Sequence, residues 1–172
     1  MIIITIFLLI GFIISLAVFV VTKNAIVEAV TITFGISLYH FAMRLMVGTI
    51  VNLIMKNKAN YKNAWFREKK FEKKFYKFIG VKRWKKHLPT FSPEMFDIDK
   101  KTLYEIMGAT CQAEVVHEII MALSLLPMVL IPVLGGVVAI IITSIVSMAF
   151  DGLFVILQRY NRSRLVRIIG RL

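Results

Sequence analysis

Cysteine is almost missing from this 172-residue chain. Cys111 stands alone, which excludes an internal disulfide framework and a zinc ribbon. It adjoins an apolar run and reads as a small packed residue rather than a nucleophile. No Ser or Cys sits in a recognisable nucleophile setting, no glycine-rich phosphate loop is visible, and HExxH is absent. Acidic residues are scarce, with 10 Asp and Glu against 22 Lys and Arg, a formal net charge of +12. What the chain has in abundance is apolar surface. Hydrophobic residues make up 58% and the mean hydropathy is +0.76. A soluble domain carries about 45–50% apolar residues, and a basic disordered tail carries fewer still. The two excesses together fit an integral membrane protein whose charges lie outside its apolar segments.

Four apolar runs support an all-α, polytopic membrane fold of about four transmembrane helices in a single membrane domain. The spans are expected at about 1–21, 25–55, 107–131 and 137–157, with a cytoplasmic basic and aromatic segment at 56–105 and a basic tail at 158–172. The first run lacks a basic n-region and an A-x-A-like site, so it reads as a retained helix rather than a cleaved signal. Of the 22 basic residues, 15 fall in 56–105 and 5 in the tail. Lys/Arg-rich loops stay cytoplasmic, so both termini are expected inside. Within 56–105, Phe71, Phe75 and Phe78 repeat at helical spacing beside Lys70, Lys73, Lys74 and Lys77. That pattern predicts an amphipathic helix in the headgroup plane, with aromatics to lipid and lysines to anionic headgroups. Lipid, not nucleic acid, is the expected partner of this surface. Pro89 and Pro93 bound an irregular stretch.

Ionisable residues inside spans cost roughly 2.5–3.5 kcal/mol each on insertion scales, so each suggests a site or a partner. The set is His40 and Arg44 on the second run, Glu114, His117 and Glu118 on the third, and Asp151 on the fourth. Counting 1.5 Å per residue, all could meet at one level in the inner leaflet. Glu114 and His117 share a helix face at i, i+3, and a carboxylate beside an imidazole raises its basicity, as a general base needs. Arg44 could neutralise Asp151 or a substrate anion; it also reads as half of a plain interhelical pair, and Glu118 as facing headgroups. A di-iron bundle needs two Glu-x-x-His motifs and two further carboxylates. One copy is present here, so no metal site is expected.

After the fourth run comes Gln158-Arg159-Tyr160-Asn161-Arg162-Ser163-Arg164, whose three arginines suit fork-like phosphate contacts. This run, together with Val81-Lys82-Arg83-Trp84-Lys85-Lys86-His87-Leu88-Pro89 and Glu114-x-x-His117, resembles the glycosyl-4,4′-diaponeurosporenoate acyltransferase family. These are small bacterial membrane enzymes of staphyloxanthin-type carotenoid biosynthesis. The resemblance covers roughly residues 61–172; Lys86 stands where the family typically carries an acidic residue. It implies fatty-acyl transfer from a thioester co-substrate, acyl-CoA or acyl-carrier, to a hydroxyl of a glycosyl carotenoid ester or related glycolipid, with no bound cofactor, in the bacterial cell membrane. Under that reading His117, Glu114 and Asn161 are catalytic: base, orienter and oxyanion donor, the last shared with Arg162. Arg44, His40, Gln158, Arg159, Arg162, Arg164, Trp84 and Asp151 bind substrate. Two other readings of the residues stay open: a small membrane methyltransferase or reductase acting on a lipid, and a non-enzymatic lipid-binding protein. The sequence leaves a homodimer open as well.

Overall fold

The computed structural model describes residues 1–89, 93–97 and 99–170. The stretch between Pro89 and Pro93 and the tail residue Arg171 therefore lie largely outside the described residues. The regular elements among the described residues are all helical: α1 Ile2–Thr22, α2 Ala25–Met55, α3 Glu72–Phe78, α4 Val81–Trp84, α5 Leu103–Ser124, α6 Ile131–Leu134 and α7 Val137–Ile169, with short 3-10 turns and loops between them. Four segments are long and apolar enough to cross a bilayer: Ile2–Thr22, Ala25–Met55, Leu103–Leu134 and Val137–Ile169. The protein is an all-α polytopic membrane protein. Its chain forms two compact units, Met1–Ile50 with Glu118–Gly152, and Val51–His117 with Leu153–Leu172.

In the first unit, α1 and α2 form a helical hairpin across a two-residue turn. Lys23 ends α1 in the left-handed conformation (φ 51°), donating its N–H to Phe19 O. Asn24 Oδ1 then accepts from Ile26 N at 2.8 Å, satisfying a free donor of the first turn of α2. The hairpin closes through two glycines. Gly11 lies under the Phe34 ring, and a Cβ at Gly35 would meet the Phe12 ring at 3.0 Å. At the far end of α5, Pro127 and Pro132 replace helix with a 3-10 turn and the short α6. Gly136, at φ +58°, then starts α7 against the Ile32 side chain. Most side chains of α1 are exposed, as lipid-facing residues are.

The second unit holds the basic segment. Here α5 starts at Leu103, four residues before the expected 107. Thr102 and Glu105 form a reciprocal cap: Thr102 Oγ1 accepts from Glu105 N, and Glu105 Oε2 accepts from Thr102 N. Helix α7 runs to Ile169, twelve residues beyond the expected 157. No Gly or Pro interrupts residues 158–169, and Arg167 bonds back to Ser163 O. The expected amphipathic helix is present as α3, with Phe71, Phe75 and Phe78 on its exposed side and Glu72 and Tyr76 on its buried side. Gly108 sits against the carbonyl of Asn57, closer than any Cβ could approach. Gln112 fastens the same turn, accepting from Asn57 N at 2.6 Å and donating to Asn52 Oδ1 at 3.1 Å. Cys111 is fully buried.

Candidate active site

The centre of the second unit is a buried tetrad of alternating charge: Glu72, Arg159, Glu114 and Arg162. Arg159 Nε and Nη2 donate to Glu72 Oε1 at 3.0 and 2.6 Å, and Nη1 donates to Glu114 Oε1 at 2.5 Å. Arg162 Nη2 pairs with the other Glu114 oxygen. Glu72, Glu114 and Arg162 are 4%, 0% and 2% exposed. At such burial an unpaired charge is costly, so the two acids and two bases hold one another in place. Tyr76 adds a hydrogen bond to Glu72 Oε2 at 2.8 Å. Its burial, and then that bond, push the phenol pKa well above its ordinary value.

The same two guanidiniums tether a loop. Trp65 O and Arg67 O each accept from Arg159 at 3.1 Å, and Phe66 O accepts from Arg162 Nε at 3.1 Å. Three consecutive carbonyls around the 3-10 turn Ala64–Phe66 are thereby joined to α7. Asn63 caps that turn, accepting from Trp65 N. The Phe66 ring lies under the Arg162 guanidinium, 5.1 Å away. Between loop and helix opens a cleft of about 290 Å³ lined by Tyr61, Lys62, Phe66, Arg67, Arg162 and Arg167, among others.

Several sequence readings change here. The sequence pairs Glu114 with His117, but the carboxylate is engaged by two arginines of α7. Permanently charged, forked donors are the stronger partners for a buried carboxylate. Arg159, read as a phosphate ligand, uses all five of its N–H groups inside the protein, so it shapes the cleft without a free donor for substrate. Arg162 keeps one: its Nη1 has no hydrogen-bond partner among the described residues. Trp84 spends its indole N–H on Ile79 O at 3.0 Å, holding the turn between α3 and α4. Asn161 is half-buried, and its Oδ1 accepts from Lys85 Nζ at 3.5 Å. Lys85 also lies 5.3 Å from the Tyr160 ring centre. Burial, followed by the nearby Arg164 and Lys82 charges, lowers its pKa. Arg164 is exposed, its guanidinium 6.0 Å from the same ring. Gln158 is buried with its Oε1 unpartnered among the described residues. His117 stacks on Phe154, ring centres 4.6 Å apart and planes within 11°.

In the first unit, Arg44 and Asp151 form the ion pair that the sequence suggests. Arg44 Nη2 also donates to Ser147 Oγ at 2.6 Å, and Nη1 to His40 O at 3.0 Å. His40 is 4% exposed, edge-on to Tyr39 at 5.4 Å, with neither ring nitrogen hydrogen-bonded among the described residues. Arg44, His40 and Asp151 thus belong to one unit. Glu114, His117, Gln158, Arg159, Asn161, Arg162, Arg164 and Trp84 belong to the other.

Sequence reasoning missed Glu72, Tyr76, Lys62, Arg67 and Arg167. One signal was present: Glu72 is the acid between Phe71 and a pair of lysines, four residues before Tyr76, a spacing that joins their side chains on one helix face.

The residues of the tetrad and the cleft, except Tyr61, fall inside one family match. The model of the family described as glycosyl-4,4′-diaponeurosporenoate acyltransferase matches residues 62–171, more than half of the chain. No curated protein and no solved structure matches it. The matched region takes in Glu72, Trp84, Glu114, His117 and the whole Gln158–Arg164 run, and on that extent the chain belongs to the glycosyl-4,4′-diaponeurosporenoate acyltransferase family.

Proposed function

We propose that this membrane acyltransferase moves a fatty acyl group from a thioester donor to a sugar hydroxyl of a glycosylated lipid, of which a glycosyl C30 carotenoid ester is the leading candidate. The family match over residues 62–171 carries the reading. Chemically, a base takes the proton of the sugar hydroxyl and the oxygen attacks the thioester carbonyl. The tetrahedral intermediate then collapses with loss of the thiolate, which collects the proton. His117 is our candidate base. Its ring plane is fixed by the stack on Phe154, and an imidazole nitrogen is a competent proton acceptor. Arg162 and Asn161 are the candidate oxyanion donors, because Arg162 retains a buried N–H group without a partner. The lipid acceptor and the acyl chain enter from the bilayer, and the donor's polar end from the cytoplasm. The distribution of basic residues supports placing both termini and residues 56–105 on the cytoplasmic face of the cell membrane.

The test is acyl transfer by the purified protein in liposomes, across a range of pH, with His117→Ala and His117→Gln beside the wild type. General-base loss predicts a fall in rate of about 10²–10⁴-fold with unchanged thermal stability. A variant with the wild-type rate and pH profile removes His117 as the base.

A further inference from the structure

The cleft beside the tetrad has a composition that the acyl-transfer step does not itself require. Its deepest cation is Arg162, 2% exposed, with Nη1 unpartnered among the described residues. At its rim stand Lys62, Arg67 and Arg167, all exposed. The acids of the tetrad are matched one for one by Arg159 and Arg162, so they leave the rim charges uncompensated. The remaining acid of the cleft, Glu68, lies 3.8 Å from Lys73. Even with Glu68 counted against one of the three rim cations, the cleft keeps a positive excess of about two charges, which suits a phosphate ester better than a neutral sugar or a monocarboxylate. Two of the rim groups are guanidiniums, whose planar forks match phosphate oxygens two at a time. Geometry holds the rim in place. Arg67 Nε donates to Lys62 O at 2.9 Å, and the carbonyls of Trp65, Phe66 and Arg67 are tied to α7. Arg167 donates from Nε to Ser163 O at 3.0 Å, one turn beyond Arg162 on the same helix. Tyr61 and Phe66 supply an apolar wall along which a linker could lie.

We propose that this cleft seats a phosphate ester of the acyl donor, with Lys62, Arg67 and Arg167 as its ligands above Arg162. The inference deepens the acyl-transfer reading and rests on it, since it assigns the donor to the phosphate-bearing class of thioesters and gives the place where that class is told from a phosphate-free one. An anionic phospholipid headgroup offers the same phosphate chemistry, so the test separates the two.

The experiment is calorimetric titration of the full-length protein with coenzyme A, in nanodiscs of phosphatidylcholine. Pantetheine, which lacks the phosphates and the adenosine, serves as the comparison, and 4′-phosphopantetheine, which restores one phosphate ester without the adenosine, assigns the difference to phosphate. Wild-type protein is expected to bind coenzyme A at least about 100-fold more tightly than pantetheine, since each charge-assisted hydrogen bond contributes about tenfold or more. The variant Lys62→Gln/Arg67→Gln/Arg167→Gln alters exposed side chains, and its melting temperature checks its fold. It is expected to lose about 100-fold in affinity for coenzyme A. The single variant Arg167→Glu supplies an independent check should the triple variant be poorly folded, and is expected to lose at least about tenfold. Equal binding of coenzyme A and pantetheine by the wild type, or undiminished binding by folded variants, overturns the proposal. So does coenzyme A binding that vanishes when phosphatidylglycerol replaces phosphatidylcholine, since the headgroup is then the occupant. Failure of the wild type to transfer any acyl group overturns the acyl-transfer reading instead, and it shows in a separate assay while the binding result stands.

Discussion

Replacing Arg159 by Met should be among the most damaging single changes to this protein. The guanidinium gives five hydrogen bonds: to Glu72, to Glu114, and to the carbonyls of Trp65 and Arg67. Arg159→Met strands Glu72, 4% exposed, with the Tyr76 hydroxyl as its surviving hydrogen-bond donor, and leaves Glu114 with Arg162. Breaking a buried ion pair from one side costs about 3–5 kcal/mol, because the remaining charge stays buried without compensation. For a chain of this size that lowers Tm by roughly 6–20 °C, at about 2–4 °C per kcal/mol. The assay is thermal unfolding of the detergent-purified protein at a fixed scan rate, followed by circular dichroism. The control is the double variant Arg159→Met/Glu72→Gln. It removes the stranded carboxylate and should recover part of the loss, whereas independent effects would add. A shift below about 2 °C in Arg159→Met, or a double variant less stable than the single by the full cost of Glu72→Gln, would show that the tetrad does not hold the second unit together.

Gly108→Ala forces a Cβ into the Asn57 carbonyl, and backbone cannot step aside as a flexible side chain can; a loss of about 1–3 kcal/mol, read as a lower Tm, is expected, while Gly48→Ala, with open space around it, serves as the neutral comparison. Arg44→Met removes the ion pair with Asp151 and should lower Tm, while Arg44→Met/Asp151→Leu should recover part of the loss in the same melting assay. Tyr76 should ionise above the ordinary tyrosine range in an alkaline absorbance titration, and Tyr76→Phe should remove that late component. Because its folded pKa is raised, the stability it contributes is complete below about pH 10 and is lost as pH climbs from there through the raised value.

Much of the fold is legible in the chain because lipid imposes simple rules. Residues 1–21 and 25–55 are close to the observed α1 and α2, since long apolar runs separated by Thr22-Lys23-Asn24 leave little choice. Arg44 and Asp151 could be paired from depth alone, because an ion in a span needs a counter-ion. Boundaries set by hydropathy shifted where hydrogen bonds decide. Thr102 and Glu105 start α5 early, and the absence of a breaker carries α7 through its arginines. The tetrad was only half readable. Glu114, Arg159 and Arg162 stand out by type and spacing, but their partners depend on which segment packs against α7. Glu72, Trp65, Phe66 and Arg67 lie some 90 residues away in the chain, and no local pattern reports such a contact. The rim of the cleft was hidden for the same reason: in a segment with 15 basic residues, sequence cannot tell which three converge.

Mass spectrometry of a reconstituted reaction decides whether this chain esterifies a glycosylated lipid. Liposomes holding the purified protein, a glycosyl C30 carotenoid ester and an isotopically labelled fatty acyl thioester are extracted and the acceptor is weighed. A time-dependent gain of one labelled fatty acid, less one water, on a sugar hydroxyl is the expected result. An acceptor of unchanged mass beside folded protein, with the thioester intact, would contradict it.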